Sequence, residues 1–122
     1  MQARTHTQGL LTLEVEDTAE AVQVRWRGKS TSREPSEFIL PILIRALDDS
    51  VIGGKRLVID FRAAEYLNSS SITPIIRVLE SVKRGRGSAR ILYCKDLKWQ
   101  SLSFTALKVF HTSDQRIDIQ GL

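Results

Sequence analysis

The sequence predicts an α/β fold. It reads as a mixed, mostly parallel β-sheet with an N-terminal antiparallel hairpin, in the order β-β-α-β-α-β-α-β. Three observations predict it. Residues 11–15 and 22–26 alternate apolar with polar side chains, the period of half-buried strands. Two later runs, LVIDF (57–61) and ARILYC (89–94), are short and almost continuously apolar, as central parallel strands buried on both faces are. Apolar stripes at helical spacing separate and follow these runs. Repeated strand-helix-strand order implies crossover helices on the faces of a largely parallel sheet.

Taken in order, residues 1–8 read as a flexible polar tail, and residues 9–122 as one domain. Leu11, Leu13 and Val15 form the inner side of the first strand. The polar turn DTAE follows, and Val22, Val24 and Trp26 form the second strand. So short a connection makes the pair an antiparallel hairpin. GKSTSREPS (28–36) reads as a loop leading into a helix, with Pro35 in the first turn and Ser32 or a neighbour as cap. Phe38, Ile39, Ile42, Leu43 and Leu47 form that helix's stripe. Pro41 inside it either kinks the helix or marks its true start. VIGGK (51–55) is a break before LVIDF. AAEYLNSSS then leads to a helix ending near Lys83, with Ile72, Ile75, Ile76, Leu79 and Val82 as its stripe. Pro74 requires that this helix start close to residues 69–71. RGRGS (84–88) is a loop before ARILYC. Residues 95–110 form a shorter helix that offers Trp99, Leu102, Phe104 and Leu107 for packing, and RIDIQ (116–120) is the last strand.

Composition narrows the function. The 122 residues suit one domain. With 42% apolar and 26% charged residues the chain is an ordinary globular protein. The net charge of +4 is uneven, with 8 Lys/Arg against 9 Asp/Glu in residues 1–61 and 10 against 5 in residues 62–122. A mildly basic second half suits an acidic partner without making a nucleic-acid binder. Cys94 is the single cysteine, so no internal disulfide forms, and with only His6 and His111 a structural zinc site is not expected. No run approaches the roughly 18 apolar residues of a membrane span. The polar start MQARTHTQG lacks a signal-peptide core. A cytoplasmic protein without membrane insertion is expected, with no cofactor and no metal.

Several motifs are weaker than they look. Gly28-Lys29-Ser30 follows a strand, as in a phosphate loop. That motif needs an earlier glycine where this chain has Gln23. No G-x-S-x-G elbow accompanies the two histidines, which read as solvated, so no serine-hydrolase triad is expected. The basic run 83–90 reads as a solvated loop after a helix, where cations suit the dipole. It has no aromatic stacking platform for nucleic acid. Cys94 reads as a buried small hydrophobe. Ser69-Ser70-Ser71 is the most informative feature. Serines between a buried strand and a helix N-terminus are often caps. A phosphate there would also meet free N–H groups and the positive end of the helix dipole. It would add about two negative charges to the surface.

Residues 57–94 resemble a STAS domain of the kind found in bacterial anti-sigma factor antagonists. The resemblance rests on Val58-Ile59-Asp60, then Tyr66-Leu67, then Asn68-Ser69-Ser70-Ser71 opening an apolar helix. It extends in element order over residues 9–120. Asn68 stands where the family usually has Asp, Ser71 and Thr73 stand in place of glycines, and Pro74 stiffens the turn. Asn keeps the capping ability of Asp without its charge.

The resemblance implies a regulatory binding protein and not an enzyme. The serine after the capping residue, Ser69, would be the phosphorylation site, with Ser70 or Ser71 as lesser candidates. The implied partners are a histidine-kinase-like serine kinase that is also the anti-sigma factor, and a PP2C-type phosphatase. Asn68, Ser69, Ser70, Ser71, Ile72 and Thr73 would form the partner surface, together with Gly28, Lys29 and Ser30. Oligomeric state is left open. The alternative is a constitutive STAS scaffold, or an accessory subunit of a signalling complex or transporter, in which the serines act mostly as a cap.

Overall fold

A computed structural model describes residues 2–122. Seven strands form one sheet: β1 (Gln2–Gln8), β2 (Leu11–Asp17), β3 (Ala21–Ser30), β4 (Arg56–Asp60), β5 (Ala64–Leu67), β6 (Ala89–Tyr93) and β7 (Ile117–Gly121). The helices are α1 (Pro35–Ile52), α2 (Ile72–Lys83) and α3 (Lys98–Thr105). One 3-10 turn, Ser69–Ser71, leads into α2, and a second, Ala106–Phe110, continues α3. The sheet order is β1-β2-β3-β4-β6-β7, with β5 paired to the end of β3. The β1–β2 and β2–β3 pairs are antiparallel, and the others are parallel.

The expected hairpin is present as β2–β3, but the chain before it is not a tail. Residues 2–8 form β1 and pair with β2 from Gln2↔Asp17 to Gln8↔Leu11; Met1 lies outside the described residues. Two residues, Gly9 and Leu10, connect them, with Gly9 at φ 59°. A two-residue hairpin with glycine first suits the twist of the strands it joins. β1 carries no large apolar side chain, so hydrophobic alternation could not reveal it.

The core lies between one face of the sheet and all three helices. Leu13, Val15, Val22, Val24, Trp26, Leu57, Ile59, Ala89, Ile91, Ile117 and Ile119 form the sheet's side of it. α1 contributes Ile39, Leu43 and Leu47, and α2 contributes Ile75, Leu79 and Val82. Phe38, Ile42, Ile72 and Ile76, from the expected stripes, pack at its margin. α1 runs through Pro41, whose ring lies on the exposed side. The α1 N-cap is Glu34 without a side-chain bond; Ser32 accepts a hydrogen bond from the Glu34 N–H instead (3.2 Å).

Phe104 of α3 stacks on Phe61 with centroids 4.5 Å apart and on Tyr93 at 5.8 Å. This places α3 on the same face as α1 and α2. The expectation of strands buried on both faces is therefore corrected: Val58 and Leu92 are only half-buried. The opposite face instead carries charged pairs between neighbouring strands, Arg27–Glu14 at 2.9 Å and Arg90–Asp118 at 3.0 Å. Leu102 is a second correction, being 69% exposed. The inner side of α3 is set by Gln100 and Phe104, both buried. Leu102 lies two residues from each, about 200° around the helix.

Candidate functional site

The sequence-predicted residues meet at the C-terminal end of β3. Gly28, Lys29 and Ser30 belong to that strand and not to a loop. The first half of β3 pairs with β4, from Ala21↔Arg56 to Arg25↔Asp60. Its end pairs with β5, through Gly28↔Ala64, Lys29↔Tyr66 and Ser30↔Leu67, with a register shift between Gly28 and Lys29. Gly28 makes this shift possible. Its φ is 84°, and a Cβ there would sit 2.0 Å from the Leu10 carbonyl oxygen. Only glycine fits both the torsion and the space.

The bent strand brings Ser30 to the serine loop. Ser30 is buried, and its carbonyl accepts a hydrogen bond from the Asn68 backbone N–H at 3.0 Å. Asn68 is the N-cap of the turn that opens α2. Its Oδ1 accepts from the Ser71 N–H at 3.1 Å and from the Ser71 hydroxyl at 2.5 Å. Its Nδ2 donates to the Ser32 carbonyl at 2.8 Å. The Ser71 and Ser30 hydroxyl oxygens are 2.6 Å apart. A hydroxyl has one proton, and that of Ser71 goes to Asn68, so Ser30 donates to Ser71. Ser30, Asn68 and Ser71 thus tie the β3–α1 loop to the β5–α2 loop.

The three adjacent serines therefore have different situations. Ser71 is wholly buried and engaged. Ser69 and Ser70 are exposed. The side-chain cap is supplied by Asn68; Ser71 stands at the N-cap position of α2 but makes no capping bond with its side chain. Lys29 and Thr73 are exposed beside them, while Gly28 and Ile72 are half-buried. A helix start leaves its first N–H groups without partners within the helix. The outer serine hydroxyls stand at that electropositive end.

Gln100 supports this platform from below. It is wholly buried, and its Nε2 donates to the Phe61 carbonyl at 2.8 Å and to the Ala64 carbonyl at 2.9 Å. Its Oε1 accepts from the Cys94 N–H at 2.7 Å. The turn from β4 to β5 is fixed in this way. Sequence reading missed Gln100; the available signal was a polar residue four positions before Phe104, on the inward side of α3. It also missed β5, which four residues were too few to declare.

Asp60 ends β4 and is nearly buried. Its Oδ1 accepts from the Arg62 N–H and Nε, both at 3.0 Å, and its Oδ2 from the Arg62 Nη2 at 2.8 Å. Burial pushes this carboxyl up, but the Arg62 bonds and the charges of Arg62 and Arg25 outweigh it and hold the group below its ordinary value. His111 is more than a solvated histidine, since its Nε2 accepts from the Ile119 N–H at 2.9 Å. His6 lies half-buried on β1, and Cys94 is half-buried after β6. In the basic run, Arg90 pairs with Asp118, and Arg86 pairs with Asp48.

The fold, a mixed sheet that is antiparallel at its start and then parallel, with helices on one face, has counterparts among solved structures. An anti-sigma factor antagonist from Mycobacterium paratuberculosis superimposes with a TM-score of 0.55, at 22% identity over 87% of this chain and 90% of that one. The chain has the STAS-like fold. SiaC of Pseudomonas aeruginosa matches this STAS-like chain over the full length of both, with a TM-score of 0.59 and 20% identity. A chain from the complex of the diguanylate cyclase SiaD with its activator SiaC, from the same organism, gives 0.63 at 20% identity, covering 98% of this chain and 99% of that one. No protein-family model matches the sequence, and no curated protein does. At such identities the likeness is one of fold. No helix among the described residues is long and apolar enough to cross a membrane.

Proposed function

We propose that this STAS-like protein is a regulatory binding module of a bacterial partner-switching pathway, controlled by phosphorylation of Ser69. Unphosphorylated, it binds a histidine-kinase-like serine kinase through the β3 end and the serine loop. Phosphate on Ser69 releases that partner, and a PP2C-type phosphatase restores binding. The observation that carries this reading is the division among the serines. Ser69 is exposed directly after the cap, at the start of α2, on a loop held by buried hydrogen bonds. A kinase can reach that hydroxyl without unfolding the loop.

The physical effect of the modification is large for one group. A phosphate brings about −1.5 to −2 charges and three acceptor oxygens. The helix N-terminus tolerates it, so the free protein remains folded. A partner surface packed over Ser69 would have to bury those charges unpaired, which costs several kcal/mol. Two of the structural counterparts point to this class of role by their own descriptions, one as an antagonist of an anti-sigma factor and one as the activator of a cyclase. The regulated output of this chain is one that a reversible binding surface can serve.

The test has two stages. Wild type, Ser69→Ala and Ser70→Ala are incubated with ATP and lysate of the source organism, and phosphate is read by intact mass. Incorporation abolished only by Ser69→Ala is the expected result. Partner retention is then compared for phosphorylated and unphosphorylated wild type, with retention expected only without phosphate. No incorporation from a lysate with demonstrated kinase activity would replace the switch by a constitutive scaffold or accessory subunit.

A further inference from the structure

We propose that Leu10, Lys29 and Tyr66 form the part of the partner surface that takes an acidic side chain set between apolar ones on a protein. The proposal rests on the partner-binding reading above and gives that partner its chemistry. The three residues lie in a row across the sheet's end. The Lys29 N–H donates to the Leu10 carbonyl at 3.0 Å, and Lys29 is in register with Tyr66. Lys29 and Tyr66, directly paired on neighbouring parallel strands, share a face of the sheet, and Leu10 stands in the hairpin turn next to Lys29. Leu10 is 66% exposed and Tyr66 is 48% exposed. Single exposed apolar residues are ordinary. Here two of them flank an exposed lysine that makes no ion pair among the described residues.

The row is continuous with the serine loop. Tyr66 stands three residues before Ser69, and Asn68 is hydrogen-bonded to Ser30, the neighbour of Lys29. The acidic residues nearby are Glu14, which pairs with Arg27, and the exposed Glu34 and Glu65. None of them pairs with Lys29. A partner carboxylate between apolar side chains would meet the Lys29 ammonium while Leu10 and Tyr66 keep water from the pair. Exclusion of water strengthens a charge pair, and aromatic anchors ringed by apolar contact dominate binding energies. The same row explains how a phosphate beside it disrupts binding. The phosphate repels the partner's carboxylate and competes with it for Lys29.

The test is zero-length carbodiimide cross-linking of unphosphorylated full chain to the partner it retains, followed by mapping of the joined residues. The expected product is an amide from the Lys29 Nζ to an Asp or Glu of the partner. Lys29→Glu, Leu10→Ala and Tyr66→Ala should each weaken retention about tenfold or more, with melting temperatures close to wild type because all three side chains are exposed. Retention unchanged in all three variants, or cross-links only at Lys55, Lys83, Lys95, Lys98 or Lys108, overturns the proposal. Sensitivity to Ser69→Asp is scored in parallel. Binding that is abolished by Lys29→Glu but indifferent to Ser69→Asp keeps this surface and rejects the phosphorylation switch. Binding abolished by Ser69→Asp but unaffected by the row variants does the reverse. A wild type that retains no partner rejects both.

Discussion

Ser69 and Ser70 on one side, and Ser30, Asn68 and Ser71 on the other, lie within one small region of the molecule and obey different rules. The outer pair is exposed at the opening of α2. The inner trio is linked by hydrogen bonds between two loops, with Ser30 and Ser71 buried. A buried polar group is stabilising only while its partners remain. An exposed hydroxyl contributes little to stability and can change its chemistry freely. A modification site therefore needs a platform, and here the platform is built from the same residue types as the site. Three identical residues in a row hold two roles because the third turns inward.

The widest separation between the two regions should come from the strand end on which the inner trio stands. Gly28→Ala is expected to destabilise the fold by about 3 kcal/mol or more, from the positive φ and the clash with the Leu10 carbonyl. Urea unfolding measures this, and a loss below about 1 kcal/mol would show that the bend is not required. Next is Asn68→Ala, which removes a cap and leaves the Ser32 carbonyl and the Ser71 hydroxyl without Asn68. About 1–2 kcal/mol is expected by the same measurement. A value near zero would erase the distinction between inner and outer residues.

A smaller, pH-dependent effect belongs to Asp60 at the base of the platform. Its carboxyl is held below the ordinary value of 3.8. The stabilisation is therefore fully present above that value and is lost as the pH falls through the lower folded-state value. In Asp60→Asn the acid limb of stability below pH 3.8 should be flatter than in wild type. Equal slopes in thermal melts across that window would mean that the Asp60–Arg62 pair does not support the platform. The smallest effects are expected for Ser69→Ala and Ser70→Ala, each within about 0.5 kcal/mol of wild type, as for surface positions without special contacts.

The sequence was most informative where burial imposes a period. The alternation in residues 11–15 and 22–26 and the stripes of α1 and α2 matched the structure because each faces one core. Asn68 and the three serines were visible as a group, and Pro74 placed the start of their helix. Their separate roles were not visible from residue type: Ser71 is set apart by its bonds to Asn68, three positions before it, and by Ser30, 41 positions away along the chain. β1 was hidden because the residues it turns toward α1 are polar: Arg4 and His6 are half-buried beside Pro41, Ile42 and Arg45, and Arg4 pairs with Asp49. Leu102 reads as inward from its residue type alone, because α3 is short and its register depends on Gln100, a polar residue that packs as if it were core. The uncovered sheet face was hidden for a related reason: Val58 and Leu92 completed apolar runs that look the same whether one face or two is covered.

The separation of an exposed acceptor from a buried platform can be tested by residue-level mapping of phosphate in the protein purified from cells where its kinase is active. Fragmentation that separates Ser69, Ser70 and Ser71 is enough. The prediction is phosphate on Ser69 and none on Ser71, whose hydroxyl is buried against Ser30 and Asn68. Phosphate found on Ser71 would mean that the inner trio opens and that the division between platform and site is wrong.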